Sequence, residues 1–325
     1  SYISCYRNWL MSSSFDNNKH SKAFDKGQNP LVSIIMNCFN GESFLKKSIE
    51  SALNQTYKNW ELIFWDNKST DKSAEIFNSY KDKRLKYFCA KKHTSLYKAR
   101  NLAIEKSTGD FISFLDTDDL WTENKLELQM PYFKNPKVGL VFSNVWLFKK
   151  EINNKKLYFK NKKLPSGYIF DQLVKDYSVG LATVVMRKDS FAKLKEKFDE
   201  RFSMIGDFDL FLRLSKLYIF ESIQSPLAYV RVHSKSLTLV MKEKETDEME
   251  IWLKENKCNL NKNSLKKIKE KTDYRKFVNF KIEGNYKACL KMLLNFEIKI
   301  FNIKGLIILF TPIVLLKKLM WYHQN

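Results

Sequence analysis

From Pro30 onward the hydrophobic positions switch repeatedly between two periods. Leu31–Phe39 (LVSIIMNCF) is an almost unbroken apolar run, the pattern of a strand buried on both faces. Ser43–Asn54 then takes helical spacing and puts Phe44, Leu45, Ile49, Ala52 and Leu53 on one face. The exchange repeats. Strands are predicted at Trp60–Trp65, Leu85–Ala90, Asp110–Leu115 and Val138–Phe148, and helices at Asp71–Tyr80, Ser95–Lys106 and Glu123–Phe133. Ser69 or Thr70 can cap the second helix, and Gly109 follows the third as a stop signal. Strand and helix alternating through short connections predict a Rossmann-like α/β domain, with a mostly parallel sheet flanked by helices.

After about residue 150 the alternation breaks. A strand is predicted at Leu181–Met186, a helix at Phe208–Leu217 and a further strand at Leu227–Val232. Beyond about 240 the chain is charged and helical, with no strand pattern. Three regions follow: a Ser-, Asn- and Lys-rich appendage over 1–28, an α/β domain over 29–240, and a helical region over 241–325. The last contains Gly305–Leu316 (GLIILFTPIVLL), shorter than the roughly 20 residues that span a bilayer and interrupted by Pro312. Lys317, Lys318, Trp321 and Tyr322 follow it. This composition predicts a helix over 298–322 lying in a membrane interface as a peripheral contact; docking on the main domain or a second subunit is the alternative.

The bulk properties narrow the partners. A 44% hydrophobic fraction in 325 residues can build a sizeable core. The net charge of +21 favours anionic partners. The lysines are dispersed, and there is no compact basic helix or RNP-like aromatic strand, so nucleic acid is not the expected partner. Five cysteines without a C-x-x-C pair indicate neither a zinc site nor a disulfide framework, and they fit a reducing cytoplasm. The polar start of the sequence carries no apolar signal segment, so the expected location is cytoplasmic, peripheral on the inner membrane face.

In parallel α/β sheets, ligands bind beyond the carboxyl ends of the strands. Asn37–Glu42 follow the first strand, Asp66–Asp71 the second, and Asp116-Thr117-Asp118-Asp119 the fourth. Three carboxylates within four residues repel one another unless a cation or partner neutralises them. Hard oxygen ligands suit Mg2+ or Mn2+, ions commonly shared with substrate phosphates. The plainer alternative has Asp119 capping a helix near Thr122. No G-x-x-x-x-G-K-[ST] or G-x-G-x-x-G follows a strand, which argues against a P-loop and against a dinucleotide site.

The run VSIIMNCFNGESFLKKSIESALNQTYKNWELIFWDNKSTD, followed by ARNLAIEKSTGDFISFLDTDDLW, resembles the inverting glycosyltransferases of family 2, with the GT-A fold, over roughly residues 30–235. The resemblance implies a nucleotide-diphosphate sugar donor, a D-x-D metal motif with Mn2+ or Mg2+, and a carboxylate base. Carried over by position, it places Asn37 and Phe39 at the nucleotide base pocket, with Asp66 contacting the base. The usual Asp after Asp66 is Asn67 here. Asp116 and Asp118 match the D-x-D pair, the first reaching ribose or metal, the second metal and diphosphate. Asp119 is an alternate or supporting ligand. Gly206-Asp207-Phe208-Asp209 resembles the later acidic motif, with Asp207 as general base and Gly206 where Glu commonly stands. Helix capping is the plainer role for Asp207 and Asp209. Val230-Arg231-Val232-His233 resembles the R-x-H segment, with His233 toward the metal and Arg231 toward phosphate. Arg100 is a further donor-contact candidate.

The implied reaction is a single displacement that moves a sugar, with a UDP-sugar the expected donor, onto a glycan or lipid-linked acceptor. A nucleotidyltransferase would need a glycine-rich loop where Asn40-Gly41-Glu42 stands. A non-catalytic binding protein at the membrane would not need both Asp118 and Asp207.

Overall fold

The protein is seen here as a computed structural model that describes residues 29–194, 196–234, 236, 241–295 and 307–313. These residues fall into two compact units that divide between His233 and Ser234.

The first unit is built on a nine-stranded sheet. The central strands are β1 (Val32–Cys38), β2 (Trp60–Asp66), β3 (Leu85–Cys89) and β4 (Phe111–Phe114), all parallel in the order β3-β2-β1-β4. β1 and β2 are buried along almost their whole length, which is why their sequences read as apolar runs. Helices α1 (Glu42–Leu53), α2 (Ser73–Asn78) and α3 (Leu96–Glu105) supply the crossovers. Leu45, Ile49 and Ala52 of α1 pack into the same core as Ile34, Met36, Leu62 and Phe64. Burying each large side chain there contributes roughly 1.5–3 kcal/mol.

The second half of the sheet is mixed, so the uninterrupted parallel order expected from the sequence holds for β1–β4, with a further parallel pair among the later strands. β5 is Leu120–Trp121, β6 Val138–Phe148, β7 Lys156–Leu157, β8 Val185–Arg187 and β9 Ile219–Arg231. β8 runs antiparallel between β4 and β6, β6 and β9 are parallel, and β5 and β7 are antiparallel edge additions to β9 and β6. Helices α4 (Lys125–Gln129), α5 (Phe170–Lys175) and α6 (Gly206–Ser215) complete this unit. The strand expected at Leu181–Met186 begins as a 3-10 turn over Leu181–Thr183 and becomes strand only from Val185. The strand expected at Leu227–Val232 is the end of a longer one.

Two buried polar clusters fix the register that aims the loops. Glu61 on β2 accepts from Ser33 Oγ (2.6 Å), Thr108 N (2.6 Å), Thr108 Oγ1 (3.0 Å) and Lys86 Nζ. Burial pushes its carboxyl up, but these donors outweigh that and hold it at about 2. Ser33 Oγ in turn accepts from Gly109 N (2.9 Å), and a Cβ at Gly109 would lie 2.6 Å from Leu31 O. Only glycine therefore lets β4 enter beside β1. Past the Asp116–Asp119 turn, Lys125 buries its ammonium against the Trp121 ring (4.1 Å) and donates to Ser113 Oγ (3.0 Å), tying α4 to β4.

Two capping expectations are corrected. Ser69 Oγ accepts from Asn40 N (3.0 Å) and Thr70 N donates to Asn40 Oδ1 (2.8 Å), so both residues tie the β2–α2 loop to Asn40. Asp71, not either of them, receives Ser73 N at the start of α2 (3.0 Å). Asp119 does not cap α4, whose N-cap is Asn124.

The second unit is helical: α7 (Lys242–Asn256), α8 (Lys262–Ile282) and α9 (Tyr286–Asn295). Asn261 Oδ1 caps α8 by accepting from Ser264 N (2.8 Å). Gly284, at φ 77°, turns the chain into α9, and Phe277, Val278, Cys289 and Ile308 form a small core. Most of the interfacial helix expected over 298–322 lies outside the described residues. Among those described, no helix is long and apolar enough to cross a membrane.

Candidate active site

The carboxyl edge of the sheet gathers groups from several distant segments. Asp116 lies two residues past the end of β4, and both its oxygens accept from Arg100 Nη2 (2.9 and 3.0 Å). Arg100 projects from α3 and is buried, its guanidinium 5.5 Å from the Tyr97 ring and 5.9 Å from that of Phe198. Burial alone would favour the neutral form of Arg100, but the charges of Asp116, Tyr97 and Asp207 outweigh it. The expected donor-side carboxylate is thus already neutralised by a residue of the same motif set.

Asp118 turns away from this pair. Its Oδ2 stands 2.9 Å from His233 Nε2, and its backbone oxygen accepts from Arg231 Nε (3.1 Å). Burial, then the charge of Asp116, raises its carboxyl above the usual range, against the pull of His233. His233 packs on Phe44 (5.0 Å), and the Arg231 guanidinium lies 4.4 Å from the same ring. Asp119 is buried, and its Oδ1 accepts from Arg231 N (3.0 Å). Burial and the two neighbouring carboxylates raise it well above an ordinary Asp. Asp119 therefore braces the acidic turn against β9.

The chemistry of this turn fits a divalent cation. Asp118 and His233 offer oxygen and imidazole donors side by side, among carboxylates that repel one another. Among the described residues no group of three His, Cys, Asp or Glu stands close enough to hold a metal. An ion here would take Asp118 and His233 and complete its shell with phosphate oxygens and water.

Asp207 opens α6, where helix polarity favours a negative charge. Its Oδ1 accepts from Phe208 N (2.9 Å) and lies 3.4 Å from Tyr97 Oη. Burial raises its carboxyl above the usual Asp range, against the opposing charge of Arg100. Asp209, two residues on, is bound by Arg213 (Oδ2 to Nε 2.9 Å), which separates the two acids by role. Gly206 has a steric reason. A Cβ there would sit 2.6 Å from Tyr97 Cε2 and Cζ, so the tyrosine ring fills the space a side chain would need.

At the other end of the edge, Phe39 is 52% exposed and its ring lies 4.2 Å from His93. Asn37 Nδ2 and Trp65 Nε1, at paired positions of β1 and β2, are buried without hydrogen-bond partners. Asp66, expected to contact the base, accepts from Ser69 N (2.7 Å) through one oxygen and from Tyr87 Oη (2.8 Å) through the other, which fixes its orientation and leaves a further lone pair on each oxygen. Asn67 donates Nδ2 to Thr94 O (2.8 Å) and accepts from Thr94 N (3.1 Å), a two-way bond that an ionised Asp could not make.

Sequence reasoning missed Tyr97, His93 and Tyr177. Tyr177 packs on Phe208 (5.2 Å) and buries a hydroxyl that has no partner. Burial, then the charges of Asp207 and Tyr97, raises that hydroxyl well above its usual range. An aromatic residue two or three positions before Ala99-Arg100-Asn101 was the available signal for Tyr97; nothing in the pattern marked the other two.

Comparison with known proteins gives a consistent result. The family described as Glycosyl transferase family 2 matches residues 33–196. An uncharacterized glycosyltransferase of Haemophilus influenzae is 38% identical over 168 residues, which is 51% of this chain and 66% of that protein. A UDP-Glc:alpha-D-GlcNAc-diphosphoundecaprenol beta-1,3-glucosyltransferase of Escherichia coli is 35% identical over 156 residues, 48% of this chain and 60% of that enzyme. The chain thus spans less than two thirds of either relative. The mannosyltransferase of Pyrobaculum calidifontis, solved with GDP-Man and Mn2+, superposes with a TM-score of 0.58 at 12% identity, over 99% of this chain and 92% of that one. At that identity the likeness is one of fold, and it is the GT-A arrangement.

Proposed function

The chain belongs to glycosyl transferase family 2, and on that premise we propose that it moves a sugar from a nucleotide-diphosphate donor to an acceptor hydroxyl, with inversion at the anomeric carbon. One juxtaposition carries the proposal. Arg100 binds Asp116 and lies by Tyr97, whose hydroxyl reaches toward Asp207, so the donor-side carboxylate and the base share one buried cation.

In this reaction the acceptor oxygen bonds to the anomeric carbon as the bond to the diphosphate oxygen breaks. Asp207 takes the acceptor proton, and burial makes it a stronger base than a solvated carboxylate. Asp209 cannot share the task while Arg213 holds it. Tyr97 keeps Asp207 in place. Phe39 offers a ring face for stacking the nucleobase, while Asn37 and Trp65 supply N–H donors for its polar edge or for the ribose. Asp66 supports the pocket by pinning its loop. Asp118 and His233 would hold Mn2+ or Mg2+, which would stabilise negative charge on the departing diphosphate. Arg231 keeps Asp118 and Asp119 oriented.

The E. coli relative supports a UDP-sugar donor and a lipid-linked acceptor, in keeping with cell-envelope or lipid-linked glycan synthesis at the inner membrane face. The Pyrobaculum enzyme supports Mn2+. The test is a panel of UDP-, GDP-, dTDP- and CMP-activated sugars with and without Mn2+, read by donor hydrolysis and thermal shift. A metal-dependent response to one nucleotide class supports the proposal. Silence from folded protein across the panel counts against it.

A further inference from the structure

The chain leaves β6 at Phe148, whose carbonyl accepts from Val232 N (2.8 Å) one residue before His233, and enters a strongly basic hairpin. Between Phe148 and Leu164 it carries seven lysines and one carboxylate, Glu151. Lys162 is paired with Asp176 (2.6 Å), whereas Lys149 and Lys156 lie close enough for their charges to oppose one another.

Aromatic rings are set among these cations. Lys155 Nζ is 5.3 Å from the Trp146 ring and 5.6 Å from that of Tyr229. Tyr158 is 46% exposed and meets Phe159 edge-on at 4.5 Å. The hairpin is firmly built. Asn144 Nδ2 donates to Phe159 O (3.2 Å), Asn144 Oδ1 accepts from Phe159 N (3.3 Å), and Tyr158 N donates to Val145 O (3.0 Å).

Its position relative to the site follows from the sheet. β7 pairs with β6 at Trp146 and Leu147, and β6 pairs with β9 as far as Phe148 and Arg231. Arg231 reaches Lys149 O (3.4 Å) on one side and Asp118 O (3.1 Å) on the other. With strands about 4.8 Å apart, the lysine-bearing strand lies about 10 Å from the strand that leads to His233.

Cations set beside an exposed ring, that of Tyr158, suit a ligand that carries both phosphate and sugar, since rings stack on sugar faces and ammonium groups neutralise phosphate. In the transferase reading the donor's own diphosphate would sit at a cation held by Asp118 and His233, which leaves the hairpin for a second anion. Resting on the transferase reading above, we propose that the Phe148–Leu164 hairpin is the acceptor-binding surface, and that it takes a saccharide carried on a phosphate or diphosphate.

The test compares two probes: N-acetylglucosamine joined through a diphosphate to a short alkyl chain, and the same sugar as a neutral alkyl glycoside of equal chain length. Binding to the full chain is measured by calorimetry at two salt concentrations. The wild type is expected to bind the diphosphate probe at least about tenfold more tightly, a preference that shrinks as salt rises. Lys155→Ala/Lys156→Ala should lose that preference and Lys155→Arg/Lys156→Arg should keep it, with unchanged melting temperatures. Equal binding of the two probes, no binding of either, or a preference that survives in the alanine pair would overturn the proposal. Co-sedimentation with phosphatidylglycerol vesicles is run alongside. Loss of vesicle binding with the probe preference intact would assign the lysines to a lipid surface instead, and would also overturn it. A UDP thermal shift on the same samples reports the donor site separately, so failure of the transferase reading is distinguishable from failure of this one.

Discussion

Replacing Gly206 by alanine adds one methyl group at the entrance to α6, and the consequences can be worked out from its surroundings. The new Cβ would lie 2.6 Å from Tyr97 Cε2 and Cζ and 2.7 Å from Cδ2. Carbon atoms pack at about 3.5–4.0 Å, so the ring must retreat by roughly 1 Å. It has little room to do so. Tyr97 is 3% exposed, stacks on Phe198 at 5.2 Å, and its hydroxyl is held by Met204 O (3.2 Å). Overpacking of this kind costs about 1–3 kcal/mol. For a domain of this size that lowers the melting temperature by roughly 2–12 °C. The ring contacts Asp207, so the carboxylate shifts with it, and a misplacement of about 1 Å lowers kcat by about a hundredfold. The assay is a melting curve together with kcat at saturating donor, using the donor identified in the nucleotide-sugar panel. Adding Tyr97→Ala removes the clash and should restore part of the stability, though not the activity. A Gly206→Ala protein with unchanged melting temperature and unchanged kcat would refute the steric account of this glycine.

Further outcomes follow from other contacts in the same unit. Arg100→Gln removes the buried guanidinium that Asp116 pairs with, and because the Asp116 side chain is 37% exposed it should cost less than the roughly 3–5 kcal/mol seen when a fully buried pair loses one partner, checked by denaturant unfolding. Disrupting the exposed Lys98–Glu200 pair in the same assay should cost about 0.5 kcal/mol or less. Glu61 has its carboxyl held at about 2 against an ordinary 4.5, so its charge stabilises the fold above pH 4.5 and that contribution is lost as pH falls through 2. The stability gap between wild type and Glu61→Gln should therefore be constant near neutrality and close in strong acid; a gap that widens in acid would contradict this. Asp207 has a raised carboxyl, so the acidic limb of kcat/KM should lie above the ordinary Asp value of about 3.9, and Arg100→Gln should move it higher still.

The parallel half of the fold was legible because β1 and β2 are covered on both faces and their sequences say so: LVSIIMNCF and WELIFW leave little else to be. The second half was harder for a physical reason. The first part of β9, Ile219–Gln224, alternates half-buried polar residues and lacks a continuous apolar run. The 3-10 segments at Met130–Lys134 and Lys188–Lys193 have no period distinct from loop or helix. At the site, the acidic turn and Asp207 could be read from motif spacing, because several ordered blocks carried the resemblance together. Their partners could not. Arg100 was found as a donor contact, but its bond to Asp116 joins residues 16 apart through the fold, and the pairing of Asp118 with His233 spans 115. Asp66 is similar: its position in the sequence pointed to the nucleobase, and its bonds to Tyr87 and Ser69, which orient the carboxylate, come from residues the pattern did not mark.

The central claim is that Asp207 is the base of a sugar transfer and takes no part in holding the donor. Asp207→Asn keeps the shape of the side chain and removes its basicity, and it leaves Asp118, His233 and Phe39 untouched. The measurement is the transfer rate of this variant beside its donor Kd, with metal present. The account predicts that transfer falls by about 10²–10⁴-fold while donor Kd stays within about twofold. Transfer within about tenfold of wild type would contradict it, because a general base removed from such a site should cost at least a hundredfold.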